Sequence, residues 1–585
     1  DNNNSEEEEE ARRPEHYDAV IVGGGPAGLL SAIMMARQLP YFDSFPSSSS
    51  TNNNKQSTTA NKPRIVVYDR LPPPPPPGSD VYSTKLSKYY LLGLGHRGQR
   101  ALRHFGAFDA VERASVAIQG RRGWQPGETS EEDGKVTLAK KSVTSRVLAR
   151  DKLVGVLREV IEDSYGDVVD LKYGYQVDPI TFGEMDRTEG GGVGSGSNVE
   201  LRVSRCVPLA PSLTAGEEGD DDADEECSIE DDDAAPKTIS TSFLIGSDGA
   251  ARTIANKMES MSPPTSINPL KRLFGSEQRK TFRVKRYDDD NPRVYKSVPI
   301  TFPPHWPHDL NYSARDSKSR VTFEALPSDS KGNHCALLLM KPDEPLAAAN
   351  CDPRLLREFF DEEFPQFGKL LTDEVLADVA GKGASALPGF RYAGPRLHEG
   401  GRTVLLGDCV HTVKPYFGLG ANSALEDVQI LSDILSTTSD PSNNLHFAIR
   451  EFTQRRAEDS KALVTLSRNL DRPGKLGTMR FVLPLILDGM FHKLAPKLFA
   501  PGIFGMFQKE DMGFRQIKRR KRLDRVMQSV VILGFVSAAG VGARCLVKTI
   551  AKALGVRDAV VSGGLVALLG AASVIRKKLA KEEQK

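Results

Sequence analysis

Six residues near the start of the chain, Gly23-Gly24-Gly25-Pro26-Ala27-Gly28, have the types and spacing needed to hold a pyrophosphate. Gly23 permits a tight turn, Gly25 lets the backbone approach a phosphate, and Gly28 allows a helix to pack hard against the preceding strand. The N–H groups opening that helix supply partial positive charge. Asp69 ends a second apolar segment and is the carboxylate expected to accept hydrogen bonds from a ribose. It follows the glycines by more than the usual ~20 residues, and a Ser/Thr/Asn tract between them accounts for most of the excess. Far downstream, Val404-Leu-Leu-Gly407-Asp408 reads as a strand ending in a carboxylate. The segment Lys414-Pro415-Tyr416-Phe417-Gly418-Leu419-Gly420-Ala421-Asn422 and a helix follow. A carboxylate there can bond a ribityl hydroxyl. A Gly-rich helix start can offer N–H groups to the pyrimidine edge of a flavin, where negative charge develops on reduction. The combination selects FAD over NAD as the resident dinucleotide.

For these groups to meet, several buried strands must lie side by side. Asp18–Val22, Arg64–Tyr68, Ser242–Ile245 and Thr403–Leu406 are short apolar runs bounded by turn residues, as buried strands should be. A helix is expected near Ala27–Leu39. Lys296–Phe302, Arg320–Ala325 and Cys335–Met340 are β-rich and predict a separate sheet. The fold class expected is therefore α/β: a discontinuous Rossmann-like FAD-binding domain, a β-sheet substrate domain, and a helical, membrane-associated C-terminal region. Residues 1–16 read as a disordered acidic N-terminus. The FAD-binding domain takes residues 17–174, 241–260 and 401–437, with a low-complexity insertion at 41–62 and a Pro-rich rod at 72–77. Residues 175–240 form a β segment carrying Gly-rich and acidic insertions, and 261–400 form the substrate domain. Helices are expected over 438–525, and one or two membrane helices over 526–578. The insertions are expected to be solvated.

A formal charge of +1 over 585 residues gives no general attraction to nucleic acid. The six cysteines (206, 227, 335, 351, 409 and 545) lack metal-ligand spacing, so neither a zinc site nor a disulfide framework is expected. The acidic start is unlike an acid-poor transit peptide, so any organelle address is expected upstream of Asp1. Towards the other end, Val526–Ala543 and Ala559–Ile575 are uncharged runs of near membrane-spanning length. Basic clusters flank them, and Arg515–Arg525 holds seven Lys or Arg. A helical hairpin, its loop carrying Arg544, Lys548, Lys552 and Arg557, would place both basic ends on one side of a membrane.

Taken with Gly246-Ser247-Asp248-Gly249, these motifs resemble the class A flavoprotein monooxygenases, whose fingerprints are a GxGxxG turn, a mid-chain Asp-Gly and a later Gly-Asp. The resemblance implies that Arg150, in Arg150-Asp-Lys-Leu153, contacts the flavin nucleotide. It also implies that Asp248, Gly249, Pro415, Gly418, Gly420 and Asn422 belong to the cofactor site. Segments Leu92–Leu102, Tyr295–Ile300 and Phe359–Pro365 resemble the kynurenine-hydroxylating branch of that family. By that likeness Lys88 stands where the branch has a carboxylate-binding arginine, and Phe417 lines the substrate side.

Three departures accompany the likeness. Lysine at 88 keeps the charge but not the bidentate fork. Lys414 replaces an apolar residue beside the flavin. Arg252-Thr-Ile-Ala255 interrupts the pattern after Asp248-Gly249. The family implies hydroxylation of a small aromatic substrate with O₂ and NADPH or NADH, the flavin carrying the bond-making steps, so no catalytic side chain is assigned. It further implies membrane lipid as a partner, the mitochondrial outer membrane as first location and a plastid membrane as second. Two other readings stay open: a flavoprotein epoxidase or reductase acting on a lipid or isoprenoid, and a non-catalytic flavin-binding membrane scaffold. His411, His96, Cys409, Trp124 and Trp306 are expected to pack or hydrogen-bond.

Overall fold

A computed structural model describes residues 14–38, 64–84, 90–139, 144–183, 197–208, 227–229, 236–262, 281–318, 320–437, 441–509 and 512–554. The chain divides into two units, residues 1–481 with 507–515, and residues 482–506 with 516–585.

In the first unit, strand β1 (Glu15–Val22) turns through the glycines into helix α1 (Pro26–Arg37), and β2 (Ile65–Asp69) returns beside β1. Pro26 suits the first turn of α1, where its missing N–H costs nothing. The helix is buried from Ala27 to Met35, so it is a core helix rather than a surface one. Next come α2 (His96–His104) and α3 (Arg150–Tyr165), and then strands β3 (Val169–Tyr173), β4 (Tyr175–Thr181), β5 (Val199–Pro208) and β6 (Lys237–Gly246). A second sheet contains β7 (Val294–Thr301), β8 (Leu310–Arg315), β9 (Thr322–Pro327) and β10 (Asn333–Met340). The chain then re-enters the first sheet as β11 (Thr403–Leu405), followed by α4 (Leu419–Thr437) and α5 (Pro441–Leu470).

Strands β11, β6, β1, β2 and β3 run parallel in that order. The first half of β6 pairs antiparallel with β5, while its last residues pair with β11. Being buried on both faces, the later part of β1, most of β2, the end of β6 and all of β11 are apolar runs rather than alternating ones. The second sheet packs on an aromatic core in which Trp124 and Trp306 stack at 5.8 Å between ring centroids, with Phe302, Tyr312 and Phe367 around them.

Three expectations change. The Pro72–Pro77 rod is not free in solvent. The Tyr82 hydroxyl donates to the Pro75 carbonyl at 2.9 Å, and a Cβ at Gly155 of α3 would lie 3.1 Å from that carbonyl. Cys206, in β5, is disulfide-bonded, which corrects the expectation of no disulfide. Residues Arg544, Lys548 and Lys552 are not in a loop. They lie on a helix that runs unbroken over Phe514–Leu554, where their four-residue spacing puts them on one face. The second apolar run, at 559–575, lies outside the described residues.

Within the second unit, the later part of α6 (Gly474–Leu494) packs with α7 (Phe514–Leu554) through buried charges. Among the described residues one helix, α7, is long and apolar enough to cross a membrane, and its most apolar window is unburied. Its uncharged segment Val526–Ala543 is about 27 Å long.

Candidate active site

The glycine turn is made where three strand ends meet. Gly23 N–H donates to the Tyr68 carbonyl at 2.8 Å, and Ser247 N–H donates to the Val22 carbonyl at 2.8 Å. Gly23 holds φ +102°, and a Cβ on it would lie 2.4 Å from the Ser247 carbonyl. At the tip of β2, Asp69 accepts the Gly24 N–H at 2.6 Å and the Leu71 N–H at 2.8 Å. Its carboxylate is thus fixed against the turn with lone pairs remaining. The Arg150 guanidinium reaches the same place, 3.6 Å from where a Gly25 Cβ would be. Tyr90 lies beside Arg150 and Asp408 and keeps over a third of its surface accessible.

Asp248 follows β6 directly beneath the turn. Its Oδ1 is buried and finds no hydrogen-bond partner among the described residues. Burial pushes its carboxyl up to about 6, against the pull of the backbone N–H groups of Ile254 and Thr253. Gly249 takes φ +61°.

Arg252 answers the departure noted in sequence. It is buried in the left-handed region, at φ 50°. From there its guanidinium donates to the Asp408 carbonyl at 3.0 Å and to the Thr412 hydroxyl. It therefore ties the Asp-Gly segment to the Gly-Asp turn.

At the end of β11, Asp408 is accessible to solvent although the fold surrounds it. That surrounding pushes its carboxyl up, opposed by His411, Arg252 and Arg150. A Cβ on Gly420 would lie 3.6 Å from its Oδ1. Pro415 opens a short turn through Phe417 that ends at Gly418, φ 60°, immediately before α4. The N–H groups and dipole of a 19-residue helix therefore start beside Asp408.

Behind this surface sits a buried network. Asp427 accepts the Gly407 N–H at 2.9 Å and pairs with His411 Nε2 at 2.8 Å. Arg456 Nε donates to Asp427 at 2.7 Å, and Arg456 Nη1 reaches Glu426 at 3.3 Å and Asp459 at 2.8 Å. Glu426 also holds Arg97, at 2.6 Å. Burial alone would push the Asp427 carboxyl up, yet Arg456 and His411 hold it down at about 2. Burial likewise opposes charge on His411, and the Asp427 carboxylate overrides it and raises the imidazole.

Two expected site residues stand differently. Asn422 was expected to contact the cofactor, but its amide is fully used by the protein. Oδ1 accepts from Gly95 N–H at 2.8 Å and Gly98 N–H at 3.2 Å, and Nδ2 donates to the Gly93 and Gly418 carbonyls at 2.8 and 2.5 Å. It clips α4 to the segment leading into α2, and so sets Gly418. Lys414 does not offer a cation to the flavin. It is buried, with its ammonium 2.9 Å from Asp289, 2.7 Å from Asp471 and 2.7 Å from the Asn291 carbonyl. Lys88 lies outside the described residues. Phe417, expected on the substrate side, is half-buried in the turn before α4. Sequence reasoning missed Tyr90 and Tyr416. The Tyr416 hydroxyl is buried with no hydrogen-bond partner among the described residues, and only its place in the Gly-rich segment pointed to it.

A glycine turn, carboxylates at the ends of β2 and β11, an arginine near the turn and a helix start beside the second carboxylate fit FAD along the carboxyl ends of parallel strands. The FAD binding domain family matches residues 274–445. By sequence the chain is similar to class A flavoprotein monooxygenases, kynurenine 3-monooxygenases among them. With the one from Salinispora tropica it is 24% identical over 50% of this chain and 59% of that protein. With the one from Sus scrofa it is 24% identical over 46% and 52%, and with the one from Myxococcus xanthus 33% identical over 24% and 30%. The matched stretches thus span less than two thirds of these relatives. Among solved structures, a 2-methyl-3-hydroxypyridine-5-carboxylic acid oxygenase is similar with TM-score 0.48 and 15% identity, covering 80% of this chain and 96% of that one. The p-nitrophenol 4-monooxygenase of Pseudomonas putida is similar with TM-score 0.47 and 14% identity, covering 88% and 98%.

Proposed function

We propose that this protein is an FAD-dependent monooxygenase that hydroxylates a small aromatic substrate, with L-kynurenine to 3-hydroxykynurenine as the leading reaction. The observation that carries the reading is the convergence of the Gly23–Gly28 turn, Asp69, Arg150 and Asp408 on one line of strand ends, in a chain similar to kynurenine 3-monooxygenases. Bound FAD would couple oxidation of NADPH or NADH to insertion of one atom of O₂ into an aromatic C–H, the other atom leaving as water.

The chain's own residues bind and orient. Gly23, Gly25 and Gly28 let the backbone N–H groups reach the pyrophosphate, and Asp69 accepts from the ribose. Arg150 adds charge beside the nucleotide. Asp248 offers its unpartnered oxygen to the same end. Asp408 accepts from the ribityl chain, while Gly418 and Gly420 bring the start of α4 to the pyrimidine edge. Pro415 and Phe417 form the wall towards the substrate, and Lys88 is the candidate for a substrate carboxylate. No side chain is required as a base, because the amino group on the substrate ring already activates it.

A lipid or isoprenoid substrate drew support from Lys88 and Lys414 as changes to the polar pocket, and an inward-turned Lys414 removes the second of these. The C-terminal region is proposed to hold the enzyme in an organelle membrane, the mitochondrial outer membrane first and a plastid membrane second.

Asp69→Ala should weaken FAD binding about tenfold, the cost of a lost hydrogen bond to a charged acceptor. Titration of the apo-protein with FAD, followed by flavin fluorescence, reads this directly, and an unchanged affinity removes Asp69 from the site. The reaction itself is tested with FAD-loaded protein in detergent, NADPH and L-kynurenine. The expected result is kynurenine-dependent NADPH oxidation and a product heavier by one oxygen in mass spectrometry. A yellow protein whose NADPH oxidation ignores kynurenine would discard the substrate and keep the cofactor.

A further inference from the structure

In the second unit, two helices are turned inside out relative to a water-soluble protein. On α6, Leu483, Ile486, Met490 and Leu494 recur at helical spacing and are 49%, 60%, 45% and 76% exposed. The opposite side of the same helix carries Asp488, which is 1% exposed. Asp488 receives Lys521 at 3.0 Å, Arg525 at 2.8 Å and Gln528 at 3.3 Å from α7. Helix α7 repeats the inversion. Asp524 and Gln528 are buried, while Leu523, Val526, Val530 and Leu533 are exposed. Water would favour the reverse arrangement on both helices, whereas acyl chains favour this one.

The charged seam also fixes depth. Lys521 and Arg525 lie just before the uncharged segment Val526–Ala543, at the level where a spanning helix leaves the lipid. Asp488 lies near the middle of α6 and is paired with both, so the middle of α6 is held at that level. A helix pinned at its centre to the water–lipid boundary lies along the boundary instead of crossing it. Exposed Lys493, Lys497, Arg519 and Arg522 stand where headgroups would be.

We propose that α6 is an in-plane membrane helix whose Leu483–Ile486–Met490–Leu494 stripe sinks into the outer acyl layer, so that the second unit grips lipid by two helices of different orientation. This rests on the membrane reading of α7 above.

The test places a tryptophan on each helix of the full chain, in two separate variants, Met490→Trp and Phe535→Trp. The chain has only two tryptophans of its own, Trp124 and Trp306, and both are buried, so they give a constant background. The protein is reconstituted into phosphatidylcholine–phosphatidylglycerol vesicles whose lipids are brominated either near the headgroup or near the chain end. For Met490→Trp, the expected result is emission lowered about twofold by the shallow bromines and less by the deep ones, as for an interfacial helix. For Phe535→Trp the order should reverse. Quenching at 535 with none at 490 overturns the in-plane helix and leaves the membrane reading standing. Deep quenching at 490 overturns it in favour of a second spanning helix. No quenching at either position overturns the membrane reading and this inference together.

Discussion

Gly28→Ala should give a chain that loses its flavin on gel filtration, with FAD affinity lowered by at least about 100-fold, equivalent to about 3 kcal/mol. The added Cβ would stand 1.8 Å from the Gly23 carbonyl oxygen and 2.8 Å from the Ser247 hydroxyl. Neither neighbour can step aside cheaply. Gly23 is backbone held by the Tyr68 carbonyl, and the Ser247 hydroxyl is committed to the Val22 and Gly23 carbonyls at 3.0 and 3.1 Å. The turn must open, and the N–H groups aimed at the pyrophosphate then diverge. Gly78→Ala, where a Cβ meets nothing within 4 Å, is the control and should bind FAD normally. Flavin fluorescence titration compares the two. Wild-type affinity in Gly28→Ala would mean that another part of the chain holds the nucleotide.

Arg456→Leu should be the most destabilising change away from that turn, at about 3–5 kcal/mol, because it strands buried carboxylates that had shared one guanidinium. Asp427, Glu426 and Asp459 are all within ion-pair distance of Arg456 and all buried. The effect should depend on pH in a definite direction. The folded Asp427 carboxyl, held at about 2, lies below its ordinary value of 3.8. Its contribution, about 2 kcal/mol, is therefore present above pH 4 and is lost as pH falls through about 2. Without Arg456 that depression shrinks, so the acid limb of the stability profile should move to higher pH. Urea midpoints measured across the acid range would show the shift, and parallel profiles for wild type and variant would deny Arg456 this role. The Gly407–Asp408 turn hangs on Asp427, so FAD affinity should fall in the same variant.

The parts of the fold that were legible in sequence are those whose cause is local. Asp18–Val22 and Arg64–Tyr68 read as strands because strands buried on both faces must be apolar along their length. The glycine turn was visible because only glycine tolerates φ +102° against a carbonyl 2.4 Å away. What escaped depends on partners distant in sequence. Lys414 looked like a pocket cation because nothing nearby in the chain announces Asp289 or Asp471. Asn422 looked like a ligand because its four hydrogen bonds go to Gly93, Gly95, Gly98 and Gly418, three of them more than 300 residues before it. The Arg544–Leu554 stretch looked like a loop because its charges were counted without their four-residue spacing.

The placement of β6 sets an order of events for the newborn chain. β1 needs β6 on one side, 224 residues later in sequence at the Glu15–Ile239 pair. At about 5–20 residues per second, β1 waits roughly 10–45 seconds for that neighbour. Then β6 itself waits for β11, which pairs Leu244 with Thr403. Until then an apolar strand has an unpaired edge, the situation in which chains aggregate or engage chaperones. The glycine turn is therefore synthesised well before the strands that shape its surroundings.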